Sequence, residues 1–181
     1  MAFSRPGYFR HTLLQSCHVR ETPPLHLALF QPDIPQNAGT LFRLGACLGI
    51  PVHVVAPAGF DLSDRRLRRA GLDYLDRLEL VRHDSWTAFE AWRRGAGARL
   101  VLLTTRAALP YTDFAFAGDD VLMAGRESDG VPEAVHAAAD ARVRVPMRPG
   151  FRSLNVAVAA AMVLGEALRQ TGGFAEMPVS A

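Results

Sequence analysis

Residues 25–48 read LHLALF, then QPDIPQ, then NAGTLFRLGACL, and this stretch decides the fold class. Leu25 to Phe30 is an apolar run of the length of a buried strand. Residues 31–36 carry Pro32 and Pro35 and form a loop. From Asn37 to Leu48, Leu41, Leu44 and Leu48 recur at helical spacing, and Asn37 is the expected N-cap. Pro51 to Ala56 then reads as a second strand.

Outward from this unit the alternation repeats. Ser63 or Asp64 is expected to cap a short basic helix, and Leu78 to Val81 to form a strand. Ser85 caps a helix through Arg94, and Arg99 to Thr104 and Asp120 to Ala124 read as strands. Pro132 opens a short helix, Arg142 to Val145 is a strand, and Ser153 caps a final helix to about Gln170. Alternating strands and helices make the class α/β, a single domain with a mainly parallel sheet flanked by helices. The domain is expected over 25–172, with residues 1–24 a flexible extension ending in Pro23-Pro24 and 173–181 a tail.

A chain of 181 residues holds one sizeable core. The formal charge of +2 neither demands nor excludes nucleic acid. The basic residues are arginines, and Arg65, Arg66, Arg68 and Arg69 crowd one short stretch, a pattern suited to bidentate phosphate contacts. A GC-rich coding sequence would give the same bias. Cys17 and Cys47 make no disulfide framework and lack a CxxC partner for metal, which points to a reducing, cytoplasmic setting. Arg5, Arg10, His11 and His18 interrupt any signal-like run. The apolar run from Val156 to Leu164 would span about 14 Å as helix, too short for a bilayer.

In an open parallel sheet, ligands bind beyond the carboxyl ends of the strands. Three loops leave such ends with distinctive composition. The first, from Pro35 to Arg43, joins the first strand to a helix N-terminus, where free N–H groups favour polar or anionic ligands. The second runs from Leu122 to Pro132, where Gly125 follows a strand and leaves room for a ligand to approach the backbone. The third, from Val145 to Asn155, holds Pro146, Pro149 and Gly150 and ends in Arg152, Ser153 and Asn155. Ser153 reads equally as a helix cap. Asn155, ahead of a long apolar run, is expected to be partly buried and so to need partners. The GxGxxG fingerprint is absent.

The last helix is apolar nearly all round from Leu154 to Leu168, and such a helix must be covered on every side. A second copy of the chain is the expected cover, with Ala157, Ala159, Ala160, Ala161 and Gly165 permitting close helix contact.

These three loops, in this order, resemble the three motifs of the SpoU branch of the SPOUT superfamily of RNA 2′-O-methyltransferases. The likeness runs from about Leu25 to Gly172. The segment from Asp64 to Tyr74, the opening Gln31-Pro32-Asp33-Ile34-Pro35 and the pair Thr104-Thr105 are particularly similar to the enzymes that methylate the wobble ribose of tRNA. The resemblance implies an α/β knot with a C-terminal trefoil knot, S-adenosyl-L-methionine as cofactor without metal, tRNA as partner, and a homodimer with the RNA site across its interface. It places Leu103, Gly125, Val145 and Ser153 in the cofactor pocket. Glu127 and Asn155 would stand beside the methyl group, and Arg43 would act on the ribose hydroxyl. Arg65, Arg66, Arg68, Arg69, Arg126 and Arg152 are the candidates for RNA phosphate contact. Thr40 where the family usually has asparagine, Val156-Ala157-Val158 after Asn155, and Gly165 before Glu166 depart from the pattern.

A guanidinium is a poor base, because its pKa exceeds about 12. Arg43 is therefore expected to stabilise the forming alkoxide electrostatically. The same chemistry on another RNA, an RNA-binding module without catalysis, and a nucleotide-binding enzyme of other chemistry are the alternatives.

Overall fold

A computed structural model of the chain describes residues 25–61 and 72–174. Six strands form one sheet: β1 (His26–Phe30), β2 (Val52–Val55), β3 (Leu80–His83), β4 (Arg99–Leu103), β5 (Asp120–Ala124) and β6 (Ala141–Val143). Their order across the sheet is β3-β2-β1-β5-β4-β6, and every pairing is parallel. The helices are α1 (Pro35–Leu48), α2 (Trp86–Gly95), α3 (Glu133–Ala138) and α4 (Val156–Thr171), with 3-10 segments at Leu72–Arg77 and Tyr111–Asp113. The order reverses at β1, whose neighbours are β2 and β5. The expected α/β class and parallel sheet stand.

Because successive strand residues face opposite sides, the sheet divides the core in two. Leu27, Leu29, Val101, Leu122 and Val143 face α1 and α4, packing on Leu41, Phe42, Ala160, Val163 and Leu164. Ala28, Phe30, Leu100, Leu102, Val121 and Met123 face α2 and α3, packing on Phe89 and Val135. The apolar helix α4 thus buries one side only. Ala157, Ala160, Val163, Leu164, Ala167 and Leu168 turn inward, while Val158 and Met162 keep 51% and 41% of their surface exposed.

Several boundaries differ from the sequence expectation. Helix α1 starts at Pro35, whose missing N–H suits the first helical turn, and its cap Ile34 makes no side-chain bond. Asn37 is therefore inside the helix, and its side chain is free for other work. Helix α4 starts at Val156, and Asn155 caps it in place of Ser153. Ser85 does cap α2, accepting from the Ala88 N–H at 3.2 Å. The third strand lies two residues later than expected and the sixth ends at Val143. Gly45 lets α1 close on the sheet, since a Cβ there would come within 2.4 Å of the Val52 side chain. Residues 1–24, the basic helix with Ser63 or Asp64, the cluster Arg65, Arg66, Arg68 and Arg69, and 175–181 lie outside the described residues. Among the described residues no helix is long and apolar enough to cross a membrane.

Candidate active site

The carboxyl ends of β1, β4, β5 and β6 open on a cavity of about 540 Å³. Residues from all three sequence loops line it: Asn37 from the first, Gly125, Arg126 and Glu127 from the second, Val145, Ser153 and Asn155 from the third. Leu103, Val143, Val145 and Val163 give it an apolar floor. Thr104, Thr105, Arg106 and Asp129 add polar groups at the wall. Of the expected cofactor residues, Leu103, Gly125, Val145 and Ser153 are all on this lining. Arg43 and Arg152 are exposed and stand outside it.

A chain of hydrogen bonds ties the loops together. Asn155 accepts at Oδ1 from the N–H groups of Ala157 and Val158, at 2.9 and 3.3 Å, which caps α4. Its Nδ2 donates to Asn37 Oδ1 at 2.9 Å. Asn37 Nδ2 in turn donates to Glu127 Oε1 at 3.0 Å. Asn155 is exposed, contrary to the expected partial burial. Its partners come from capping and from Asn37.

Glu127 is clasped by Asp33 through two reciprocal bonds. The Asp33 N–H donates to Glu127 Oε2 at 3.1 Å, and the Glu127 N–H donates to Asp33 Oδ1 at 3.2 Å. Hydrogen bonding at Glu127 lowers the Asp33 pKa to about 2, while burial and then Asp33 raise that of Glu127. Of the two, Glu127 is therefore the easier to protonate.

Arg126 is committed within the fold. Its Nε donates to the Gln31 carbonyl at 3.2 Å and its Nη2 to Gln31 Oε1 at 3.1 Å. Gln31 has φ of 47°, an uncommon conformation for a residue with a side chain, and Arg126 helps to hold it. The missing side chain at Gly125 serves the loop itself. A Cβ there would lie 2.8 Å from the Gly130 carbonyl carbon. Backbone bonds between Arg126 and Gly130, at 2.9 and 2.8 Å, close that turn.

His136 also lines the cavity, buried in α3, with Nε2 3.5 Å from Thr104 Oγ1. Burial and then Arg106 lower its pKa, so it is neutral near pH 7. Sequence reasoning missed Asp33, Asn37 as a bridging amide, and His136. Only Asp33 and Asn37 had a signal, polar residues flanking Pro35 at the end of a buried strand. Among the described residues no cluster of His, Cys, Asp or Glu could hold a metal ion.

Residues 24–165 match the model of the SpoU rRNA methylase family. The chain belongs to that family. Within it, a tRNA (cytidine(34)-2′-O)-methyltransferase of Beijerinckia indica is 66% identical over 151 residues, covering 83% of this chain and 94% of the relative. The protein of the same name from Escherichia coli K12 is 38% identical over 150 residues, covering 82% and 94%. A solved structure described as giving insight into the 2-OH methylation of C/U34 on tRNA superposes with a TM-score of 0.77. It is 45% identical, over 82% of this chain and 96% of its own. The SpoU methyltransferase AviRb of Streptomyces viridochromogenes, solved with AdoMet, gives a TM-score of 0.75 at 31% identity, covering 82% of this chain and 58% of that one.

Proposed function

We propose that this chain is an S-adenosyl-L-methionine-dependent tRNA methyltransferase acting on the ribose 2′-hydroxyl of the wobble nucleotide, a cytidine or modified uridine. The observation that carries the reading is the single cavity into which the three loops converge through Asn155, Asn37 and Glu127. The 66% identity to a wobble cytidine enzyme favours tRNA over other RNAs.

The cavity suits the cofactor. Its volume falls in the range of about 300–1,000 Å³ usual for small-molecule sites. The apolar floor fits a nucleobase, and the threonines and amides fit ribose and amino-acid groups. When bound, S-adenosyl-L-methionine supplies an electrophilic methyl group and needs no metal.

The protein contributes orientation and charge. Asn155, Asn37 and Glu127 fix the loops around the methyl position. Arg43 supplies positive charge to a ribose oxygen as its proton leaves, with an RNA phosphate taking that proton. Arg43 lies outside the cavity of its own chain, and the exposed apolar row on α4 continues through Leu154, Val158 and Met162. Both features support a homodimer built on α4, with Arg43 brought to the RNA across the interface. The cluster Arg65, Arg66, Arg68 and Arg69, with Arg152, would hold phosphates. Arg126, bound to Gln31, would have to exchange those bonds to join them. The reading includes a C-terminal trefoil knot around the cavity and a cytoplasmic site of action.

The test is mass-spectrometric mapping of 2′-O-methylation on total tRNA incubated with protein and cofactor. A new methyl at the wobble ribose is expected. Methylation confined to rRNA or to another tRNA position would overturn the substrate assignment.

A further inference from the structure

Arg43 projects from the exposed side of α1, next to the fully buried Phe42. Its guanidinium carbon lies over the ring of Tyr74, 4.9 Å from the centroid. Tyr74 is half-buried in the 3-10 segment Leu72–Arg77, which packs along α1. Among the described residues no carboxylate pairs with Arg43. Arg93, Arg99 and Arg169, by contrast, spend their charge on Glu90, Asp120 and Glu166.

That difference has chemical meaning. An ion-paired guanidinium has its N–H groups occupied and its charge offset. A guanidinium stacked on a ring is held by its flat face, while its five N–H donors radiate in plane and its charge stays available. The aromatic face also restricts an otherwise flexible side chain, which lowers the cost of ordering it on an incoming ligand.

We infer that Tyr74 is a positioning residue for Arg43, holding the guanidinium by its face so that its N–H edge meets a ribose–phosphate unit of RNA. The inference rests on the reading of Arg43 as the group that acts on the ribose. It also gives a task to the end of the segment from Asp64 to Tyr74, for which the cavity offers none.

The experiment compares Arg43→Ala, Tyr74→Leu and Tyr74→Phe for methyl incorporation into total tRNA, thermal midpoint, and affinity for S-adenosylhomocysteine by calorimetry. Leucine keeps the apolar bulk and removes the ring face; phenylalanine keeps both. Tyr74→Leu should lower kcat about two- to fivefold, the rate equivalent of an exposed cation–π pair, with midpoint and cofactor affinity unchanged. Tyr74→Phe should recover most of that loss. A normal rate in Tyr74→Leu, an equal loss in Tyr74→Phe, or a loss shared with midpoint or cofactor affinity would each overturn the inference. A near-normal rate in Arg43→Ala would instead remove the reading on which it rests.

Discussion

Asn155 and Asn37, 118 positions apart in the chain, meet amide to amide at 2.9 Å, and the first sets the orientation of the second. Asn155 must turn its oxygen to the N-terminus of α4, so its NH₂ faces Asn37. Asn37 then presents its oxygen to Asn155 and its NH₂ to Glu127. One capping requirement thus orders three side chains from three loops. It also demands an accepting oxygen on Glu127.

Asn155→Ala should cost about 1 kcal/mol in stability, the usual worth of an N-cap, together with most of the activity. Asn155→Asp separates these effects. It still offers an oxygen to the helix and has no N–H for Asn37. Urea unfolding should show near-normal stability for the aspartate variant, while methyl transfer stays low. Full activity in Asn155→Asp would show that the amide pair is dispensable.

Gly125→Ala places a carbon against the Gly130 backbone, which cannot yield as a flexible side chain would. Overpacking of this kind costs about 1–3 kcal/mol, and the displaced turn carries Glu127. Cofactor affinity should fall with stability, read by calorimetry and thermal melting. An alanine variant with unchanged affinity would mean the turn adapts.

On the face of the sheet packed on α2, His26, His53 and His83 form a ladder across β1, β2 and β3. Nδ1 of His26 lies 2.9 Å from Nε2 of His53, and Nδ1 of His53 lies 2.8 Å from Nε2 of His83. A neutral ladder puts one proton in each gap and leaves one outer ring nitrogen without a proton. Burial, and then His26 and His83, lower His53 to about 3. Burial also lowers His26 and His83, opposed by Glu79 and Asp84 respectively. Trp92 and Phe89 of α2 cover the rings and add no charge. All three folded values lie below the ordinary 6.5, so the unfolded chain takes up protons first. Stability is therefore full above about pH 6.5 and falls below it, by at most about 1.4 kcal/mol per pH unit for each histidine. For His53 the decline continues toward pH 3. Urea midpoints should drop between pH 7.5 and 5, and less steeply in His53→Gln. A flat profile would contradict the neutral ladder.

The exposed row on α4 makes Val158→Glu a test of assembly. Val158 keeps 51% of its surface in the single chain, so the charge should cost its fold little. It would be buried unpaired in a dimer built on this helix. Sedimentation should give a dimer for the wild type and a monomer for the variant. A monomeric wild type at micromolar concentration would dismiss the interface.

The parallel α/β class was readable from the strand–helix alternation that starts at residues 25–48 and repeats along the chain, because buried strands and one-faced helices leave distinct patterns. The site was legible as three loops, since Gly125 and Asn155 mark strand ends and helix starts. Two assignments failed for one physical reason. Asn37 and Ser153 are good capping types, but Pro35 opens α1 two residues earlier and Asn155 takes the second cap. Local propensity ranks candidates for a cap and cannot say which one a distant partner needs elsewhere. The clasp of Asp33 on Glu127 spans 94 residues and had no local signature. The stacking of Arg43 on Tyr74 was equally invisible, because the two lie on different elements and no local pattern pairs them.

That clasp bears on the order of events during synthesis. Asp33 and Asn37 leave the ribosome early, yet the groups that hold them, at positions 127 and 155, emerge some ninety and more residues later. A nascent chain halted after β6 would lack both α4, which covers one face of the sheet, and the Asn155 amide that latches the loops. Ligand uptake would therefore report a chain synthesised through α4.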